Sequence, residues 1–208
     1  MSAELTGRDR LPDIARADTM AVTISTRHAG GRDRQTDLVE TMLAAWESGP
    51  WPPEQLSLSF YVSTDGENVL TYAQWSDPEV RISGAVTYRL YRSLVPDAPG
   101  GTPPVPGCIA IPSFDVDGPE RQRAIVDTLL DGPLARPIPG LVAAHFHVSA
   151  DGTRVINYAE WADEDTHQGA LSGDVLSEAG RTTRAMPGVR GIGCPRYRLH
   201  RGLTRPSV

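Results

Sequence analysis

The chain contains no lysine; all 20 of its basic residues are arginine. Schiff-base catalysis and the lysine of a phosphate-binding loop are thereby excluded. No apolar run approaches the ~20 residues that a membrane-spanning helix needs. The start, Met1-Ser-Ala-Glu-Leu-Thr-Gly-Arg8, is polar and has no signal-peptide core. These absences predict a cytoplasmic protein with no membrane partner. A net charge of −6 offers no basic footprint for nucleic acid. Cysteine is scarce as well. Cys108 and Cys194 open the predicted first and last strands of the second of two repeats. Antiparallel strands would place their first residues at opposite ends, too far apart to bridge, so the expectation is two reduced thiols.

What the chain does have is a duplication. Ser63-Thr-Asp-Gly-Glu-Asn-Val-Leu-Thr-Tyr-Ala-Gln-Trp-Ser-Asp77 returns as Ser149-Ala-Asp-Gly-Thr-Arg-Val-Ile-Asn-Tyr-Ala-Glu-Trp-Ala-Asp163, identical at eight of fifteen positions. Arg34-Gln35 with Val39, Thr41 and Leu43 recurs as Arg121-Gln122 with Val126, Thr128 and Leu130. Tyr88–Leu94 likewise recurs as Tyr197–Leu203. Such self-similarity marks a repeated structural unit. Units of this size are marginal alone, because small domains bury a smaller share of their surface. The expectation is that they pack on each other.

The predicted organisation is a flexible leader (1–19), a first unit (20–95), a Pro/Gly linker (96–107), a second unit (108–203) and a tail (204–208). In the first unit the pattern predicts a strand over 20–25, a helix over 33–46 and strands over 56–63, 68–75 and 85–91. Asp65-Gly66 signals a two-residue hairpin turn. The second unit reads strand 108–111, helix 119–130, strands 141–149 and 154–161 around Asp151-Gly152, then helices 164–171 and 174–186 with Asp163 as cap. Its β-α-β-β-α-β order is ferredoxin-like. Only twelve residues separate Trp75 from Tyr88 in the last strand of the first unit, so that unit has lost its second helix.

A two-residue turn fixes register, and side chains alternate faces. In the second hairpin Val148 then faces Val155, Phe146 faces Asn157, Ala144 faces Ala159 and Val142 faces Trp161, all on one side. The first hairpin repeats this with Phe60 facing Thr71 and Leu56 facing Trp75. His145, His147, Tyr158 and Glu160 share the opposite side. Asn157 is an amide on an otherwise apolar face. It reads either as a core residue satisfied by backbone, or as a polar group aimed into an apolar pocket, with the Trp161 indole as a second donor.

Taken together, the Asp-Gly hairpin, the strand ending in Asn-x-x-x-Trp and the acidic helix start after the Trp resemble the antibiotic biosynthesis monooxygenase family. The resemblance covers about 20–94 and 108–203. It implies an α+β fold of two ferredoxin-like units packed sheet to sheet as an intramolecular α+β barrel. The duplicated chain would be an internal pseudo-dimer, with further homo-oligomerisation left open. It also implies a cofactor-independent monooxygenase that uses O2 to oxidise a phenolic, anthrone-like polyketide intermediate to a quinone, with no metal. The family's Asn and Trp fall on Asn157 and Trp161. Where some members have a Tyr six residues after the Trp, this chain has His167, either a base or a helix-surface residue. Val142, Ala144, Phe146 and Val148 would line the pocket, with Arg184 (or Arg181) facing a phenolate. With Thr71 in place of the Asn and no equivalent of His167, the first unit reads as structural.

Three other readings stand beside this one. Haem-degrading relatives place a His nine or ten residues past the Trp, where this chain has Ala170 and Leu171. His145-x-His147 with Glu160 could hold a metal in an open site. A non-catalytic small-ligand binder or pathway accessory protein is the third.

Overall fold

A computed structural model describes residues 10–97 and 104–205. The described residues divide into two compact units, 10–89 with 197–205, and 90–97 with 104–196. Both are α+β, ferredoxin-like units, and the first has no helix between its third and fourth strands.

The first unit comprises β1 (Ala21–His28), α1 (Arg32–Glu47), β2 (Gln55–Ser63), β3 (Asn68–Trp75) and the start of β4 (Val86–Leu94). Its last strand comes from the far end of the chain: β10 (Arg196–Thr204) pairs antiparallel with β2 from Tyr197 onward. The final strand of the second repeat therefore belongs to the first unit, where it covers an edge of β2 that would otherwise present unpaired backbone. The sequence-based division, which keeps 108–203 together, differs at this point. It differs at the leader too. Ile14 is buried, and the Arg16 guanidinium donates to the Arg205 carbonyl (2.8 Å) and pairs with Asp18. Gln74 Nε2 donates to the Asp13 carbonyl (2.7 Å). Residues 10–19 are thus fixed on the first unit; residues 1–9, half of the linker (98–103) and the end of the tail (206–208) lie outside the described residues.

The second unit follows the predicted order as far as α4, with a divided first strand, a 3-10 turn (Pro133–Ala135) after its first helix and an added strand at its end. Its first strand is β5 (Cys108–Ala110) and β6 (Ser113–Val116), two pieces on either side of Pro112 that pair with β8 (Arg154–Trp161) in one continuous register. Pro112 has no N–H to donate, but its carbonyl accepts from Asn157 N (2.9 Å). After α2 (Pro119–Leu130) come β7 (Leu141–Ser149), β8, α3 (Glu164–Ala170), α4 (Asp174–Ala185) and β9 (Val189–Gly193), which pairs with β6. Glycines leave β9 without a face pattern, so periodicity misses it. Its core joins Ile125, Val126 and Leu129 of α2 to Phe146, Val155 and Trp161 of the sheet. No helix among the described residues is long and apolar enough to cross a membrane.

Both hairpins hold the predicted register in their upper part, with Phe60 opposite Thr71 and Phe146 opposite Asn157. Their connections are longer than predicted, spanning 64–67 and 150–153. In each, the serine before the turn (Ser63, Ser149) donates to the turn aspartate and accepts from the first backbone N–H of the next strand. Register survives because the extra residues are added symmetrically. At the other end it slips: a β-bulge places Gln55 opposite Trp75 and Leu141 opposite Trp161. Leu56 and Val142 are the extra residues, and a bulge re-aims side chains. The expected Leu56–Trp75 and Val142–Trp161 pairs do not form.

The repeated glutamine has a role that its spacing alone does not reveal. Gln122 Nε2, on α2, donates to the Ser149 carbonyl and hydroxyl and to the Arg154 carbonyl (2.9–3.1 Å), and Gln35 makes the same three contacts to Ser63 and Asn68. Each amide braces a helix against the mouth of its hairpin. Gln122→Leu removes that donor and leaves buried acceptors unmet, so a loss of about 2–3 kcal/mol is expected in denaturant unfolding.

Burial also sets an acid limit to stability. His147 is fully buried, with Nδ1 on the His145 carbonyl (2.9 Å), and burial above all lowers its pKa to about 3. Below about pH 6.5 the unfolded chain takes up a proton at this site that the folded chain refuses. Stability from this group is therefore intact above pH 6.5 and falls as pH drops from there toward 3. By pH 4.5 the loss is about 3 kcal/mol. His147→Gln should flatten this part of the urea midpoint's pH profile.

Candidate active site

The site is built where β8 meets α3. Asp163 is in extended conformation and its carboxylate accepts from Thr166 N (2.7 Å) and Thr166 Oγ1 (2.6 Å), capping α3 as predicted. Gly140 (φ +79°) lets the chain entering β7 pass so close to this turn that a Cβ there would meet Thr166 Cγ2 at 1.8 Å. The capped helix then presents His167 inward. It is 3% exposed, and its ring lies edge-on to Trp161 with centroids 4.9 Å apart. It is not a surface residue.

A cavity of about 1050 Å³ opens over this face of the sheet. Its floor is Ala144, Phe146, Asn157, Ala159 and Trp161; His167 contributes from α3, Leu171 from the turn after it, and Leu176 and Thr183 from α4; Arg181 and Arg184 line it as well. The small side chains of Ala144 and Ala159 make the depth. Of the pocket residues named from the sequence, Ala144, Phe146 and Arg184 line the cavity. Val142 and Val148 are not part of the lining. The bulge hands the position of Val142 to Leu141, and Val148 packs half-buried against the core. Pro112, Phe114 and the Gly191–Gly193 stretch form a further wall. Sequence reasoning missed it because neither a proline-split strand nor a glycine-rich one carries an alternation signal.

Three buried polar atoms on this cavity have no hydrogen-bond partner: Asn157 Oδ1, Trp161 Nε1 and His167 Nδ1. Buried polar atoms are nearly always paired, and leaving one unpaired costs about 1–3 kcal/mol. Three on one apolar hollow is the pattern of a ligand site with a few convergent polar groups. The backbone does not satisfy the Asn157 amide oxygen.

The electrostatics suit a proton acceptor. Burial holds His167 below its ordinary pKa, Arg196 adds to this, and Glu164 pulls weakly the other way. The imidazole is therefore neutral near pH 7, with Nδ1 unpaired and Nε2 4.0 Å from Cys194 Sγ. Cys194 is an exposed residue, but desolvation of its thiol on the side facing His167 pushes it up to about 11, so it stays protonated. Arg136 and Arg190 are engaged by Glu178 and Asp115. Neither Arg181 nor Arg184 has an ion pair among the described residues.

The opposite face of the hairpin does not assemble a metal centre. His145 Nδ1 meets Ser93 Oγ (2.8 Å), and His147 Nδ1 meets a backbone carbonyl. Among the described residues no group of three His, Cys, Asp or Glu side chains is placed to hold a metal ion.

No family model matches the chain. A search of curated proteins finds tetracenomycin-F1 monooxygenase of Streptomyces glaucescens, 48% identical over 48 residues. That match takes in 22% of this chain, and the chain spans 43% of the relative's length. Among solved structures, an anthrone oxidase-like protein superposes with a TM-score of 0.69 over 92% of this chain and 95% of that one, at 16% identity. A ferredoxin-fold protein related to antibiotic biosynthesis monooxygenases, from Listeria monocytogenes, gives 0.52 over 91% and 96%, at 10% identity. At these identities the structures speak for the fold.

Proposed function

We propose that this chain, a two-unit member of the antibiotic biosynthesis monooxygenase-like ferredoxin-fold proteins, oxygenates a phenolic aromatic polyketide intermediate without a bound cofactor. The observation that carries the reading is the trio of unpaired buried polar atoms on one apolar cavity, at Asn157, Trp161 and His167. The names of the curated match and of the anthrone oxidase-like neighbour point the same way.

The chemistry asks little of the protein. An anthrone carries a CH2 group whose proton is acidic because the resulting anion spreads over the phenolic rings. Neutral His167 takes that proton at Nδ1. The Trp161 N–H, and the Asn157 amide by whichever end the ligand requires, hold the oxygen on which negative charge collects. Arg181 or Arg184 offsets a phenolate. The anion is electron-rich enough to reduce O2 itself; carbon–oxygen bond formation gives a hydroperoxide, which loses water to leave the quinone. The balance is CH2 plus O2 giving C=O plus H2O, with no external reductant. Closing the site to bulk water keeps the fixed donors effective.

The test is O2 consumption by flavin- and metal-free protein supplied with a hydroxyanthrone. One O2 per anthrone and growth of the quinone absorbance are expected. Tight binding with no O2 uptake above the spontaneous rate would replace the oxygenase with a binding protein.

A further inference from the structure

The chain has four tryptophans, and their indole N–H groups have different fates. Trp46 Nε1 donates to Gln55 Oε1 (3.3 Å), Trp51 Nε1 to the Gln55 carbonyl (2.5 Å) and Trp75 Nε1 to Thr23 Oγ1 (2.9 Å). Trp161 Nε1 is buried and has no acceptor. A buried donor left this way weakens the fold, so what keeps it unpaired matters.

The duplication supplies the control. Trp75 and Trp161 end equivalent strands. In the first unit β1 sets Ala21 opposite Trp75 and Thr23 opposite Ala73. In the second, β5 sets Cys108 opposite Trp161 and Ala110 opposite Ala159. Thr23 and Ala110 are therefore the same position, two residues along the same face from the tryptophan's partner. Both are buried, at 4% and 0% exposure. One copy has a hydroxyl acceptor there and the other has a methyl group.

We infer that Ala110 is a positioning residue of the second unit's site: by offering no acceptor, it keeps the Trp161 N–H free for an oxygen anion in the cavity. The inference rests on the proposed function. Thr23 does the reverse in the first unit, where it ties up the indole and makes Trp75 purely structural. A residue outside the Asn-x-x-x-Trp motif thus adds to Thr71 and the missing helix in setting the two copies apart. Ala110 acts only through Trp161.

Three variants decide the matter. Ala110→Thr and Ala110→Ser restore the acceptor; Ala110→Val matches threonine in volume and branching without the oxygen. The readouts are the Trp161 Nε1–H signal in a 15N-labelled protein (identified by its loss in Trp161→Phe), affinity for a hydroxyanthraquinone as a non-reacting probe, and O2 uptake on a hydroxyanthrone. In the threonine and serine variants the N–H signal should move downfield and exchange more slowly. Probe affinity should drop about 10-fold and O2 uptake about 100-fold, with valine within about 3-fold of wild type on both.

Equal losses in the threonine and valine variants would reduce Ala110 to a packing residue and overturn the inference. So would a bonded N–H with undiminished probe affinity, or an unmoved N–H signal in both hydroxyl variants. If wild type itself consumes no O2, the oxygenase reading falls separately, and the N–H signal and probe affinity still decide the role of Ala110.

Discussion

Trp161→Phe and Asn157→Ala should each lower kcat for O2 uptake on a hydroxyanthrone by about 10²–10³, the cost of removing one oriented donor from an oxyanion site. The magnitude follows from burial. Asn157 is 9% and Trp161 3% exposed, so water cannot easily substitute for the lost group. Because both atoms are unpaired in the folded chain, neither substitution breaks an existing hydrogen bond, and the stability lost should be only that of trimmed packing. That separates them from ordinary core mutations, which lose activity through unfolding. If the two groups hold one oxygen, their effects will not add, and the double variant should resemble the worse single one. Rates equal to wild type in both variants would leave the cavity as a binding site only.

The hairpin was readable because its code is local: alternation gives the faces, and symmetric turns preserve the register from Val62–Val69 and Val148–Val155 inward. Asn157, Trp161, Phe146 and Ala144 followed from that arithmetic. Val142 failed because a bulge is a one-residue insertion with no mark in the apolar pattern, and beyond it each assigned partner shifts. The helical elements were equally legible, α2 to the residue, since periodicity, Pro119 and the Asp163 cap announce them. Membership of β10 in the first unit was not. Its sequence copies β4, so repeat logic assigns it to its own copy, whereas strand pairing goes to whichever edge is open. The inward turn of His167 needed the capped geometry of α3, which spacing from Trp161 leaves undecided.

His167→Gln should cost about 10²–10⁴ in kcat/KM if the imidazole removes the substrate proton, and the pH profile is the sharper measurement. In wild type the base must be unprotonated, so kcat/KM should rise with pH through an acid limb whose midpoint lies below 6.5, in the direction that burial and Arg196 push His167. Glutamine has no titration there, and the limb should vanish along with the rate. Arg196→Gln supplies the check on sign. Arg196 pairs with Glu164 (Nε to Oε1, 3.5 Å) and donates to Gln168 Oε1 (2.8 Å), so it contacts the helix that carries His167. Removing its positive charge makes protonation of the imidazole easier and leaves Glu164 to pull the same way. The acid limb should then move up toward 6.5 while the high-pH plateau changes little. A limb that stays put in Arg196→Gln and persists in His167→Gln would assign the proton transfer to the substrate's own phenolate or to water, leaving His167 as a wall of the cavity.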